Sequence, residues 1–391
     1  MKKRKFETNA VRIQARRSSF NEHSVPIFET SCYIFNSAEE AKAVFAEEQK
    51  GYLYSRYNNP GTDELIEKLC TLEGAETGIA TSSGMASVFI TIAGMLSAGD
   101  HLIVSQHLFG TTHLLVDQIL PKWGISHSYV NLTNTKELKN NVLPTSKMIF
   151  AETPSNPGLD IIDLEWLGKF ANDHNLYLAI DNSFASPYLQ NPIQYGCDFV
   201  IHSTTKFIDG QGRTIGGAVV GSEEYMKNII TLSRIVGPTM SAHTGWILSK
   251  SLETLSVRME RHCSNALTLA QYLEDHPDIN WVKYPFLKSH PQYDIAKKNM
   301  KLGGAMVSFE VKGGQKRTMK FMDELKIISI ASNLGDTRSI ITHPATTTHS
   351  KLSPEDRKKA GITDSMLRFS VGLEHIDDII ADIDQALESS K

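Results

Sequence analysis

Between about residues 61 and 221 the chain switches repeatedly between two hydrophobic periods, and this alternation restricts the fold more than any other feature. Helix-like segments such as ELIEKLCTLEG space apolar residues at i, i+3 and i+4. Between them lie short β-rich runs: HLIVS, SKMIFAE, LYLAID, DFVIHS and GGAVVG. Strands that alternate with helices predict an α/β fold with a mostly parallel sheet covered on both faces. Ligands of such sheets bind outside the carboxyl ends of the strands, so the residues that end each strand are the first place to look for chemistry.

The flanks read differently. Residues 1–60 lack the periodicity of a self-contained domain and end in the loop-forming GYLYSRYNNPGT, so they are expected to be an irregular arm that packs on something else. A long helical stretch is expected from about Ser241 to Asp275. Beyond it, strand-like AMVSFEV and LRFSVG with intervening helices predict a smaller α+β unit. The expected division is an arm over 1–60, a large domain over 61–250 and a small C-terminal domain over 251–391. No internal repeat or low-complexity tract interrupts it.

Composition narrows the class. Hydrophobic residues at 41% and charged residues at 21% describe an ordinary globular chain. Forty Lys and Arg against 44 Asp and Glu leave a formal net charge of −4, which argues against a nucleic-acid binder. Cys32, Cys70, Cys197 and Cys263 are far apart and contain no C-x-x-C pair, so they read as reduced, mostly buried thiols. The start, MKKRKFETNAVRIQARR, is basic but carries no apolar stretch of signal-peptide length; its KKRK run reads as a solvated tail. The longest clearly apolar run, Val88 to Leu96, is about half of a membrane span, and the cytoplasm is the expected location.

Four strand ends carry polar residues. TSSGMAS at 81–87 opens an apolar helical run; it reads either as an anion-binding turn or as an N-cap by Ser82 or Ser83. AETPSNP at 151–157 holds Asn156 in a loop stiffened by Pro154 and Pro157. LYLAIDNSF ends an apolar strand on Asp181, a position that is costly without a partner. That partner is a capping N–H or an Arg on one reading, and a protonated ring nitrogen on the other. DFVIHSTTKF places Lys206 past a buried strand beside Ser203, Thr204 and Thr205; it is a phosphate counter-charge, a structural ion pair or a Schiff-base nucleophile. The glycine-rich DGQGRTIGG that follows fits neither G-x-G-x-x-G nor a P-loop. Together, an anion-binding turn, a buried Asp and a Lys among hydroxyls are the parts needed to hold pyridoxal 5'-phosphate.

In these motifs the chain resembles the Cys/Met-metabolism family of pyridoxal-phosphate enzymes of fold type I. The matching stretches run through nearly the whole chain: YSRYNNP, TSSGMAS, ETPSNP, AIDNSF, HSTTKF, GPTMS, LETLSVRMERH, HPATTTH and LRFSVGLEH. The runs HSTTKFIDGQGRTIGGAVVG and SNLGDTRSIITHPATTTH are similar to its homoserine-ester sulfhydrylases. The resemblance implies a transferase in methionine biosynthesis that exchanges the γ-substituent of an O-acylhomoserine for sulfide or cysteine. It implies Lys206 as Schiff-base lysine and general acid/base, and Asp181 as partner of the ring nitrogen. Gly84, Met85, Ser203 and Thr205 would hold the phosphate, with Asn156 near the ring oxygen. Tyr54 and Arg56 would complete the neighbouring subunit's site in a homo-oligomer, a dimer of dimers. Arg368 would clamp the substrate carboxylate beside Asn333.

Three positions depart from the family pattern. Phe109 stands where lyases place a tyrosine over the cofactor ring, and Thr111 where methionine γ-lyases carry a cysteine. Asn333 replaces a serine common before Leu-Gly. His343 and His349, six residues apart, read as pocket-wall or structural residues, and no metal is expected. The last apolar-spaced segment, HIDDIIADIDQALESS, reads as a packed surface helix.

Overall fold

The five β-rich runs all form strands of one sheet in the computed structural model, which describes residues 4–15, 17–351 and 353–391. Seven strands make it up: β1 (Thr77–Thr81), β2 (His101–Ser105), β3 (Ser126–Val130), β4 (Ser146–Glu152), β5 (Tyr177–Asp181), β6 (Phe199–His202) and β7 (Gly217–Gly221). Their order is β1-β7-β6-β5-β4-β2-β3; β7 runs antiparallel to both neighbours and every other pair is parallel. The two strands the hydrophobic pattern did not announce, β1 and β3, are the edges. An edge strand is covered less completely, so TGIAT and SHSYV carry no continuous apolar run.

A second sheet of five strands follows: β8 (Ile279–Lys283), β9 (Met306–Val311), β10 (Ser329–Ile330), β11 (Ile340–Thr342) and β12 (Met366–Ser370). Its order is β10-β11-β12-β9-β8, antiparallel except for β10 with β11. The two expected strands, β9 and β12, are neighbours near its centre.

The helical stretch expected from Ser241 to Asp275 consists of two helices, Ala242–Leu252 and Leu255–Glu274. The carbonyl of Ser251 explains the interruption, since it accepts from the Thr254 amide and hydroxyl and from Arg258 Nη2. The second helix serves two cores. Leu255, Met259 and Cys263 join the cluster on one face of the large sheet, and Ala266, Leu269, Ala270 and Leu273 join the cluster over the small sheet.

The arm is less irregular than expected. It contains helices Phe6–Arg12 and Ala38–Phe45, and Phe6 packs edge-on against Tyr188 with ring centroids 5.0 Å apart. Elsewhere it displays apolar side chains to solvent, with Phe20 90% and Ile34 98% exposed. Lys2 and Lys3 of the basic run lie outside the described residues. Of the thiols, Cys32 is exposed and the other three are buried. The C-terminal segment forms helix Ile376–Ser389, which buries Ile379, Ile383, Ala386 and Leu387. No helix among the described residues is long and apolar enough to cross a membrane.

Candidate active site

Parallel pairing brings the polar strand ends together. Glu152, the last residue of β4, is in register with Asp181, the last of β5, and Asp181 is in register with Ile201 of β6. Paired residues of neighbouring strands point to one face, so two carboxyls lie side by side where the turn of Ser203 to Lys206 begins.

Asp181 is held by Ser183, whose amide and hydroxyl donate to Oδ1 at 3.0 and 2.5 Å. The Ser183 hydroxyl in turn accepts from the amide of Ser203 at 2.7 Å, tying the two strand ends together. Burial pushes the Asp181 carboxyl above its ordinary range, against the pull of the Ser183 bonds. His202 and Lys206 act on it from a distance, and among the described residues no cation lies within ion-pair distance of it. Glu152 is buried, accepts from the Phe109 amide at 3.1 Å, and is pushed well up by burial and by Asp181.

Lys206 is pulled down to about 8, first by burial and then by Arg368, while Asp181 and Glu152 oppose the shift. Its Nζ donates to Asn333 Oδ1 at 2.8 Å. A lysine near 8 keeps a useful fraction of neutral amine at physiological pH, which a nucleophile toward an aldehyde requires.

Beside this group the helix Gly84–Met95 begins, capped by Ser83, whose hydroxyl accepts from the Ala86 amide at 3.2 Å. The cap reading of TSSGMAS is therefore realised, and it leaves the first amides of the helix, Gly84 and Met85, for another acceptor. The position needs glycine for packing: a Cβ on Gly84 would lie 2.7 Å from Ser203 Cβ. Met85 Sδ accepts weakly from the Thr112 hydroxyl at 3.7 Å. Thr205 is engaged elsewhere, accepting from the Gly216 amide at 3.0 Å and donating to its carbonyl at 3.2 Å.

Arg368 comes from the middle of β12 and is buried. It donates to Asn156 Oδ1 at 3.0 Å and to the carbonyls of Ser332 and Asn333, both at 3.3 Å. Among the described residues no carboxylate lies within ion-pair distance of it, although burial has pulled it down to about 10. Glu152 acts on it only from a distance, so the buried guanidinium is able to receive a carboxylate in direct contact.

Lys206, Asp181, Asn156, Asn333 and Arg368 thus fall into one linked group, with Ser203, Gly84, Met85 and Phe109 around it. Tyr54 and Arg56 do not contact that group. Arg56 is exposed, stacks over Tyr57 at 4.9 Å and Tyr54 at 5.7 Å, and donates to the Arg234 carbonyl. His343 has both ring nitrogens engaged, with the Thr346 hydroxyl at 2.8 Å and the Asp364 carbonyl at 2.9 Å, a structural role. Sequence reasoning missed Glu152 and Ser183. Glu152 ends a strand as Asp181 does, so the same criterion could have found it.

The donor set fits pyridoxal 5'-phosphate: a depressed lysine, a carboxyl in want of a cation, and free helix amides against a glycine that only a bare Cα can occupy. Comparison with known proteins agrees. The family model for Cys/Met metabolism PLP-dependent enzymes matches residues 7–388. An O-succinylhomoserine sulfhydrylase of Pseudomonas aeruginosa is 44% identical over 382 residues, 98% of this chain and 95% of that one. An L-methionine gamma-lyase of Fusobacterium nucleatum is 42% identical over 391 residues, 99% of each chain. A Campylobacter jejuni structure, described as an O-acetylhomoserine (thiol)-lyase, superposes with a TM-score of 0.95 at 33% identity, covering 98% of this chain and all of that one. It carries a pyridoxyl-lysine monophosphate. The fold is that of a type I PLP enzyme. The chain belongs to the Cys/Met-metabolism family of PLP-dependent enzymes.

Proposed function

We propose that the enzyme converts O-succinylhomoserine and sulfide to homocysteine and succinate. The observation that carries the reading is the buried, carboxylate-free guanidinium of Arg368, joined through Asn333 to the amine of Lys206. It pairs a carboxylate receptor with a base at the distance of one residue, as a reaction at an amino acid's α-carbon requires. The sulfhydrylase relative supports the choice of reaction.

When bound, pyridoxal 5'-phosphate supplies a sink for the electron pair left at Cα. Lys206 would hold it through its amine, and as a free amine would take the Cα proton. Asp181 would keep the ring nitrogen protonated. The amides of Gly84 and Met85, with Ser203 and Thr205, would hold the phosphate; Thr205 would do so only by giving up a bond to Gly216. Asn156 would face the ring oxygen, and Phe109 would offer its ring for stacking without a phenol to move protons. Lys206 therefore carries the traffic. It moves the proton from Cα, a second proton leaves Cβ, and the Cγ–O bond breaks with its electron pair departing in succinate. Sulfide then forms the Cγ–S bond and both carbons are reprotonated. Arg368 holds the substrate carboxylate in a two-pronged clamp.

The same reading takes the chain as cytoplasmic and divided into 1–60, 61–250 and 251–391. It is a homo-oligomer, a dimer of dimers, in which Tyr54 and Arg56 reach the neighbour's cofactor. The solvent-facing apolar side chains of the arm support a second copy as its partner.

The test supplies purified protein with O-succinyl- and O-acetylhomoserine, each with sulfide, with cysteine and with neither. The highest kcat/KM is expected for the succinyl ester with sulfide. A preference for cysteine would make the enzyme a cystathionine γ-synthase, and one for the acetyl ester an O-acetylhomoserine sulfhydrylase. The γ-lyase reading is favoured by the 42% identical methionine γ-lyase. Release of ammonia and a 2-oxo acid without an added nucleophile would establish it.

A further inference from the structure

The motif LETLSVRMERH lies outside the cofactor group, yet its helix places Arg258, His262 and Asn265 at i, i+4 and i+7, on one face. Each of them bonds to main chain that leads out of the site. Arg258 Nη1 donates to the Phe207 carbonyl at 2.6 Å, and Nη2 to the Ile208 carbonyl at 3.2 Å, directly after Lys206. His262 Nδ1 donates to the Val371 carbonyl at 2.7 Å. Asn265 Nδ2 donates to the carbonyls of Gly372 at 3.0 Å and Glu374 at 2.9 Å, the chain leaving β12 after Arg368.

Two glycines let neighbouring groups close tightly on the Lys206 turn. Gly210, at φ +70°, leaves room for the Arg258 guanidinium, where a Cβ would collide with Nη1. Gly335, at φ +76°, lies so close that a Cβ would stand 2.7 Å from the Phe207 amide. Its own amide donates to Ser370 Oγ at 2.9 Å, two residues beyond Arg368. The His262 ring meets Phe207 edge-on with centroids 5.7 Å apart. Arg258 itself is buried and spends its donors on carbonyls and the Thr254 hydroxyl.

We infer that this helix face sets the spacing between Lys206 and Arg368, with Arg258 positioning the lysine turn and Asn265 positioning the strand that bears the carboxylate clamp. The inference rests on the roles given to Lys206 and Arg368 above. It makes the two ends of the face separable in kinetics, because one end serves a proton-moving amine and the other a binding group.

Arg258→Lys and Asn265→Leu are measured in the loaded enzyme, together with thermal unfolding and the pH midpoint of the cofactor's visible absorbance. A misplaced amine in Arg258→Lys lowers kcat by about tenfold to a hundredfold, leaves KM near that of the parent, and moves the absorbance midpoint. Loosening β12 in Asn265→Leu raises KM for the amino acid by about tenfold, with kcat and the midpoint retained. If Arg258→Lys does not fold, Gly210→Ala, which displaces the guanidinium, is expected to give the kcat-side pattern. The inference is overturned if folded, loaded variants leave kcat, KM and midpoint unchanged, or if both variants change kcat and KM by the same factors. Lys206→Ala separates the two levels: retention of the shifted visible band there removes the Lys206 assignment itself, whereas its loss beside an inert Arg258→Lys removes only this inference.

Discussion

Lys206 Nζ donates to Asn333 Oδ1 at 2.8 Å, and the main-chain carbonyl of the same asparagine accepts from Arg368 Nη2 at 3.3 Å. One residue therefore touches the Lys206 amine with its side chain and the Arg368 guanidinium with its backbone. Asn333→Leu keeps the carbonyl and removes the amide. A hydrogen bond to a charged group contributes about 1.5–3 kcal/mol, so kcat/KM is expected to fall by about tenfold or more. Steady-state kinetics with each homoserine ester check this, and an unchanged kcat/KM would count against the contact.

Lys206→Ala is expected to abolish the shifted visible band of the bound cofactor and to lower turnover by about a thousandfold or more. Absorbance of the reconstituted variant and its rate are measured on the same sample.

The depressed lysine gives a pH dependence with a definite sign. Neutral amine is the reactive form, so capture of pyridoxal 5'-phosphate by cofactor-stripped protein should quicken as pH rises and level off above about 8. For stability, burial disfavours the charged lysine in the folded state, a penalty fully present below 8. It is relieved as pH rises from about 8 toward the ordinary 10.5, so this group alone makes the stripped protein gain stability over that window. Lys206→Met is expected to flatten both profiles, in rapid-mixing absorbance and in denaturant titrations at several pH values.

Arg368→Lys retains a positive charge but loses the planar fork. KM for the amino acid should rise by about tenfold to a hundredfold, with a smaller change in kcat. An equal loss in both parameters would place Arg368 elsewhere in the reaction.

Asp160 links the loop after β4 to the small sheet: it accepts from Lys283 Nζ of β8 at 2.5 Å and from Ser155 Oγ at 3.2 Å. Although burial acts to raise the carboxyl, Lys283 and His107 hold it below its ordinary range. A depressed carboxyl stabilises above the unfolded value near 3.8 and loses that contribution as pH falls through the folded value. Asp160→Asn should therefore cost about 1–3 kcal/mol at pH 7 and progressively less toward pH 3. Urea unfolding across that range reads the difference.

What was legible in the chain follows physical lines. The inner strands β2, β4, β5, β6 and β7 are buried on both faces and announce themselves as apolar runs. The edge strands β1 and β3 carry mixed residues, and β10 and β11 are too short to show a period. Asp181 and Lys206 stood out because a charge at the end of a buried strand demands a reason. Glu152 had the same signature but lay in a segment whose prolines and Asn156 drew the reading. The break after Leu252 left no mark in the apolar spacing, because it comes from the Ser251 carbonyl captured by Thr254 and Arg258. Arg258, His262 and Asn265 looked like polar punctuation on an ordinary helix, since their partners are main-chain oxygens far away in sequence.

The helix Leu255–Glu274 feeds apolar residues into both cores. A gene divided just ahead of it would leave the first fragment with an uncovered greasy trench, and the second with a sticky rod end. Two such fragments should precipitate when made alone and regain solubility only when co-expressed. Heating the intact chain should accordingly yield one calorimetric peak rather than two.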